Sequence, residues 1–147
     1  MSESERLVEI LLVEDSKTDA ELTLEALDQG KLFNKVFHVK DGEEAMAYLR
    51  QEGAYANSNR PDLVLLDLNM PKMDGRDVLR EMRGDEQLKV IPVVVLTTSN
   101  QDKDILESYG LAANNYIVKP VDLTKFFGVI QEVSNFWLRI VALPPKP

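Results

Sequence analysis

The stretch that decides the fold is "RPDLVLLDLNMPKMDG", residues 60–75. It contains an almost continuous aliphatic run, and that run ends in a carboxylate, Asp67. Continuous apolar runs are typical of strands in a parallel sheet, because helices cover both faces of such a sheet. A carboxylate fits a buried strand only where the strand ends. The stretch therefore predicts a buried parallel strand with Asp67 at its carboxyl end.

Strand and helix patterns alternate five times along the chain. Short apolar runs indicate the strands, and apolar residues at helical spacing between capping residues and glycines indicate the helices. The predicted strands are 7–14, 35–39, 62–68, 92–99 and 114–120, and the predicted helices are 16–30, 41–53, 74–85, 102–110 and 122–141. This order predicts an α/β fold of the flavodoxin-like (βα)5 type, a doubly wound five-stranded parallel sheet with helices on both faces.

Length and composition limit the possible functions. The chain has 147 residues and no cysteine, which suits one domain without disulfides or thiolate metal sites. A net charge of −8 argues against direct nucleic-acid binding, which needs a basic surface. We expect a polar segment at 1–7, one domain at 8–138, an extension at 139–147 and no output domain. With no signal peptide and no apolar run long enough to cross a membrane, the sequence predicts a cytoplasmic protein.

Chemically active residues fall at the carboxyl ends of the predicted strands, where open parallel sheets bind ligands. Strand one ends in Glu14 and Asp15, strand three in Asp67, strand four in Thr97 and strand five in Lys119. Three crowded carboxylates repel one another, which should raise the pKa of at least one. Mg²⁺ relieves such repulsion, because it prefers carboxylate and phosphate oxygens. The residues predict a magnesium site that holds a phosphoryl group beside a nucleophilic aspartate.

Together these residues resemble the receiver domain of two-component response regulators, over roughly residues 8–136. Each motif alone is weak, but each lies at the end of the appropriate strand. The residues that carry the resemblance are Glu14, Asp15, Asp67, Thr97, Tyr116, Lys119 and Pro120. Four longer stretches are similar to the small stand-alone phytochrome response regulators of cyanobacteria: 52–62, 65–75, 93–99 and 135–144.

The resemblance implies a role for each residue of the acidic site. Asp67 would be the phosphoacceptor and a metal ligand. Asp15 would bind Mg²⁺ directly and Glu14 through water, with the main-chain carbonyl of Asn69 as a further ligand. Lys119 would pair with the acidic cluster and then with the phosphate.

The resemblance also implies a switch. Thr97 would move toward the phosphoryl group and Tyr116 would swing inward behind it. The Lys119–Pro120 peptide bond would be cis. Pro71 and Gly75 would fit the tight loop over the site, where glycine permits unusual backbone angles. Thr98 stands where receivers usually carry a smaller residue, so access to the site would be slower.

The partner implied by the resemblance is a sensor histidine kinase, of the cyanobacterial phytochrome type. The protein would not be an enzyme in the ordinary sense, because it catalyses only its own phosphotransfer and slow autodephosphorylation. With no output domain, the product would be a changed surface formed by helix four (102–110), strand five and helix five (122–141). Apolar residues in excess on helix five predict a homodimer through that surface. The residues predicted for the dimer interface are Phe126, Phe136, Trp137 and Ile140.

Four other function classes fit the sequence less well. A haloacid-dehalogenase-type phosphatase needs a general acid two residues after the nucleophile, where this chain has Asn69. A flavodoxin-like FMN carrier needs a phosphate loop after strand one, and a P-loop NTPase needs a motif that is missing. A receiver-shaped binding module would not need the complete acidic site. The single histidine, His38, is expected in mid-strand, away from the site, with a structural role.

Overall fold

The structure is a computed structural model. It describes residues 8–29, 34–70, 73–98, 101, 106–107, 110–111, 113, 115–122, 124–125 and 128. The strands are β1 (Val8–Val13), β2 (Asn34–Val39), β3 (Leu63–Asp67), β4 (Val93–Thr97) and β5 (Asn115–Val118). The helices are α1 (Lys17–Gln29), α2 (Gly42–Leu49) and α3 (Gly75–Arg83), with a 3-10 turn at Gly53–Tyr55.

All five strands are parallel, and their order in the sheet is β2-β1-β3-β4-β5. This confirms the predicted flavodoxin-like sheet. The order reverses between β1 and β3, the point at which ligands bind in open parallel sheets. Asp67 lies opposite Leu96 and Thr97 lies opposite Val118, so the polar ends of neighbouring strands meet at one edge.

Alternating side chains of the strands build a core on each side of the sheet. On one side, Leu66 and Val95 pack with residues of α2 and α3. On the other side, Leu65 and Leu96 pack with α1. The central strands β3 and β4 are buried along their whole length, as their continuous apolar runs predicted.

Capping side chains start the helices where the sequence predicted. The Ser16 hydroxyl accepts from the Asp19 amide at 3.2 Å before α1. Asp41 accepts from the Glu44 amide at 2.8 Å and caps α2. Asp74 accepts from the first amides of α3 in the same way. Such caps satisfy amides that have no partner within the helix.

The second helix is shorter than predicted. Helix α2 ends at Leu49 rather than at 53, because Gln51 adopts a left-handed backbone with φ of 58°. In the loop that follows, Tyr55 packs edge-on against Phe37 and Tyr48, with ring centroids 5.7 and 5.3 Å apart. These contacts anchor the long loop before β3 to the edge strand.

The prediction that Gly75 permits unusual backbone angles was wrong. Gly75 is the first residue of α3, and its backbone angles are not in the left-handed region. A Cβ at this position would collide with the Asp67 carbonyl oxygen and stand 2.7 Å from Leu68 Cα. The Gly75 amide also donates to the Leu68 carbonyl at 3.0 Å. Glycine is needed here because the helix start touches the main chain that carries Asp67.

Helices four and five lie largely outside the described residues. Residues 101, 106 and 107 are helical, as are 124, 125 and 128. Within the part of the chain that the structure describes, no helix combines the length and the apolar character needed to span a bilayer.

Candidate functional site

Three carboxylates meet at the carboxyl edge of the sheet, as predicted. One oxygen from each of Glu14, Asp15 and Asp67 lies within 4.8 Å of the others. Glu14 and Asp67 are almost completely buried, whereas Asp15 is exposed. The cluster therefore has two buried acidic groups at its base and one acidic group at its mouth.

Lys119 is the cation of this cluster. Its Nζ lies 2.7 Å from Glu14 Oε1 and 3.2 Å from Asp67 Oδ1. It also lies 3.2 Å from Oδ2 of Asp19, a residue of α1 that the sequence analysis did not single out. The Lys119–Pro120 bond is cis, as expected, and the Lys119 amide donates to the Thr97 carbonyl at 2.8 Å. Lys119 is thus held by its main chain and by three carboxylates.

Burial raises the pKa of Asp67 from 3.8 to about 7. A hydrogen bond with the Glu14 carboxyl group and the charge of Glu14 add to this rise, while Lys119 and the Asn69 amide oppose it. The pKa is raised, as predicted from the crowding of the carboxylates, but burial is a larger cause than crowding. For Lys119, burial lowers the pKa, and the hydrogen bond to Glu14 with the nearby acidic charges more than offsets this. The pKa of Lys119 therefore stands above its usual range.

Neighbouring main-chain amides hold the buried carboxylates in place. The Ser16 amide donates to Glu14 Oε2 at 3.2 Å, and the Asn69 amide donates to Asp67 Oδ1 at 3.3 Å. Asn69 itself is exposed at the rim of the site. Each buried carboxylate therefore has one oxygen bound by a nearby main-chain amide.

Thr97 and Tyr116 lie on adjoining strands. Thr97 is buried at the end of β4. Tyr116 is half-buried, pairs with Val95 in the β4–β5 register, and its hydroxyl accepts from the Ala113 amide at 3.4 Å. Because side chains alternate along a strand, Thr97 and Tyr116 project to the same side of the sheet. Thr98, beside them, is exposed.

The expectation that His38 lies away from the site was wrong. Its Nε2 donates to the main-chain carbonyl of Glu14 at 2.7 Å. The error arose because β2 is the strand next to β1, so a side chain near the end of β2 reaches the end of β1. A pairing of the first two strands, read from the βαβ pattern, would have placed His38 beside the acidic pair.

Several predicted residues lie outside the described part of the chain. They are Pro71 of the loop over the site and the four residues of the predicted dimer surface, Phe126, Phe136, Trp137 and Ile140.

The residues present fit a hard divalent cation. Two buried carboxylates and one exposed carboxylate converge, and the single positive charge of Lys119 offsets only one of these three negative charges. Oxygen donors of this kind suit Mg²⁺ and Mn²⁺, and no softer ligand is part of the cluster.

Comparison with known proteins gives the same family on three counts. The family model described as the response regulator receiver domain matches residues 10–131. The chain is 49% identical over 135 residues to Response regulator Rcp1 of Synechocystis sp., covering 92% of each protein. It superposes with a TM-score of 0.76 on the phosphorylated cyanobacterial phytochrome response regulator RcpA, at 51% identity, covering 96% of this chain and all of that one.

The chain is also similar to a solved structure of the Mn²⁺-bound form of response regulator Rcp1. The TM-score is 0.74 at 48% identity, covering 94% of this chain and 99% of that one. The likeness extends over nearly the whole chain in each case. The protein therefore belongs to the response regulator receiver-domain family and is similar to the phytochrome response regulators within it.

Proposed function

We propose that this protein accepts a phosphoryl group on Asp67 from a phosphohistidine of a sensor histidine kinase. The observation that carries the proposal is the buried Asp67 carboxylate beside Glu14, Asp15 and Lys119 at the topological switch point of the sheet. The relative RcpA, which is named as a phosphorylated cyanobacterial phytochrome response regulator, supports a kinase of the phytochrome type. The receiver unit would extend over residues 8–138.

Asp67 acts as the nucleophile. One carboxylate oxygen attacks phosphorus, the P–N bond to the donor imidazole breaks, and an acyl phosphate forms on Asp67. The Asn69 amide and Lys119 both contact Oδ1 and hold the carboxylate in place for the attack. In phosphoryl transfer, positioning and charge neutralisation supply most of the rate increase.

Glu14 and Asp15, with Asp67 and the Asn69 carbonyl, would hold Mg²⁺. The bound ion supplies positive charge that offsets the charges of the carboxylates and of the phosphoryl oxygens. The Mn²⁺-bound form of Rcp1 supports a divalent cation in a protein that is 48% identical to this chain. Lys119 stays protonated throughout, because the raised pKa keeps its charge at any physiological pH.

Lys119 links the new phosphoryl group to the fold. Before transfer it is shared among Glu14, Asp19 and Asp67. Transfer adds negative charge at Asp67, which strengthens the attraction on Lys119 and draws the Thr97 hydroxyl toward the phosphoryl oxygens. Tyr116, on the same side of the sheet, then moves inward. Such a local charge change can bias a two-state element.

The output would be a changed surface on helix four, β5 and helix five. The surplus of apolar residues on the last predicted helix supports a homodimer through that surface, and the net charge of −8 argues against nucleic acid as a direct partner. The protein would work in the cytoplasm, where kinases obtain ATP, and would slowly hydrolyse its own acyl phosphate.

Intact mass spectrometry tests the proposal. Wild-type protein and Asp67→Asn are incubated with acetyl phosphate, each with Mg²⁺ and with a chelator. We expect one added phosphoryl group on the wild type with Mg²⁺ only. Asp77→Asn serves as a matched control, because Asp77 is a surface residue of α3 that should leave labelling unchanged. Equal labelling of wild type and Asp67→Asn would refute Asp67 as the acceptor.

A further inference from the structure

Two neighbouring residues of β2, Val39 and His38, bind the amide and the carbonyl of Glu14. The Glu14 amide donates to the Val39 carbonyl at 3.0 Å. The Glu14 carbonyl accepts from Nε2 of His38 at 2.7 Å. Strand pairing of β1 with β2 ends one residue earlier, at Val13 and Val39. A side chain therefore takes over where the ladder of main-chain hydrogen bonds stops.

The bonded carbonyl belongs to the peptide group that joins Glu14 to Asp15. A peptide group is planar, so fixing its oxygen fixes the direction in which the chain leaves toward Asp15. Asp15 is exposed, and packing does little to orient its side chain. Its carboxylate nevertheless stands within 4.8 Å of the buried pair. The direction of the main chain at the Glu14–Asp15 peptide therefore determines whether the Asp15 carboxylate faces the buried pair.

We propose that His38 is a positioning residue for the acidic cluster. It would orient the Glu14–Asp15 peptide so that the Asp15 carboxylate faces the buried carboxylates. The neutral imidazole with a proton on Nε2 is sufficient for this role, because a carbonyl oxygen needs only a donor. The inference rests on the proposed function, since His38 would act by strengthening Mg²⁺ binding at the acidic cluster.

The surroundings of His38 allow a clean test. His38 and Asp15 both line a cavity of about 350 Å³ between α1 and β2. A side chain of similar or smaller size at position 38 can therefore be accommodated without pushing on the core. His38→Leu removes the donor while keeping the bulk. His38→Gln keeps an amide N–H donor at a similar reach.

The measurement is the dissociation constant for Mg²⁺ by isothermal titration calorimetry, on the full chain. We expect His38→Leu to bind Mg²⁺ roughly tenfold more weakly, the lower end of the range for groups that orient metal ligands. His38→Gln should recover most of the affinity. His38→Ala lacks the donor as well and must show the same loss as His38→Leu. In acetyl phosphate labelling, the loss should be overcome by raising the Mg²⁺ concentration.

Val36→Ala is the matched control. Val36 lies two residues earlier on the same side of β2 and packs against the core shared with α1. Its truncation should lower stability and leave the Mg²⁺ dissociation constant unchanged. Wild-type affinity in both His38→Leu and His38→Ala would overturn the inference alone. A wild-type protein that binds no Mg²⁺ would overturn the proposed function and the inference together.

Discussion

Replacing Asp67 with asparagine should make the metal-free protein more stable at neutral pH. The folded state holds the Asp67 proton up to a pH of about 7, whereas an ordinary aspartate releases it near 3.8. Between these values the folded state binds more protons than the unfolded state. The free energy of unfolding therefore falls as the pH rises through this window.

The size of the effect follows from the two pKa values. Each unit of difference corresponds to about 1.4 kcal/mol. Between pH 4.5 and 7.5 the wild type should lose about 3 kcal/mol through this one group. Asparagine resembles the protonated carboxyl group and carries no such loss. The stability advantage of Asp67→Asn should thus grow by about 3 kcal/mol across the same interval.

Urea unfolding with a chelator at several pH values measures this difference. Carboxyl groups away from the site titrate equally in both proteins and cancel when the two curves are subtracted. Adding Mg²⁺ at pH 7.5 should stabilise the wild type by about 3 kcal/mol at a hundred times its dissociation constant, and should stabilise Asp67→Asn much less. If the stability difference between wild type and Asp67→Asn stays constant from pH 4.5 to 7.5, the raised pKa of Asp67 is refuted.

Three further predictions concern other parts of the molecule. Lys119→Met should destabilise the protein by about 3 kcal/mol or more at pH 8, because it leaves two buried carboxylates without a cation. Urea unfolding measures this change, and a decrease in the free energy of unfolding below about 1 kcal/mol would contradict the prediction. Gly75→Ala should lower the free energy of unfolding by about 2 kcal/mol or more in the same assay, because the added Cβ would collide with main-chain atoms. Gly84→Ala, at the other end of α3, should change stability little, because its Cβ would meet atoms no closer than 3.6 Å. Equal effects of the two substitutions would refute the steric argument. Truncating Phe136 and Trp137 together to alanine should shift the protein from dimer to monomer in light scattering, and an unchanged mass in solution would rule out their role in dimerisation.

Much of the fold could be predicted because its signals are local. The apolar runs of β3 and β4 have no polar interruption, so their burial on both faces was readable from the residues. The end of α2 could not be predicted, because the left-handed backbone of Gln51 depends on the loop that follows. Tyr55 is fixed by Phe37 and Tyr48, which come from two other elements.

The candidate site shows the same division. The convergence of Glu14, Asp15 and Asp67 follows from topology, since the carboxyl ends of neighbouring parallel strands share an edge. The pairing of Asp19 with Lys119 needed the rotation of α1 over the sheet, which the sequence pattern did not specify. Pairing of β1 with β2 would have brought His38 near the acidic pair, but its hydrogen bond to the Glu14 carbonyl depends on the register of the edge strand.

Chemical trapping at Asp67 tests the central claim most directly. Protein labelled with acetyl phosphate and Mg²⁺ is reduced with borohydride, which converts an aspartyl phosphate into homoserine, and is then mapped by peptide mass spectrometry. The account predicts homoserine at position 67, absent when the phosphodonor or the metal is withheld. Homoserine at another aspartate, with position 67 unmodified, would contradict it.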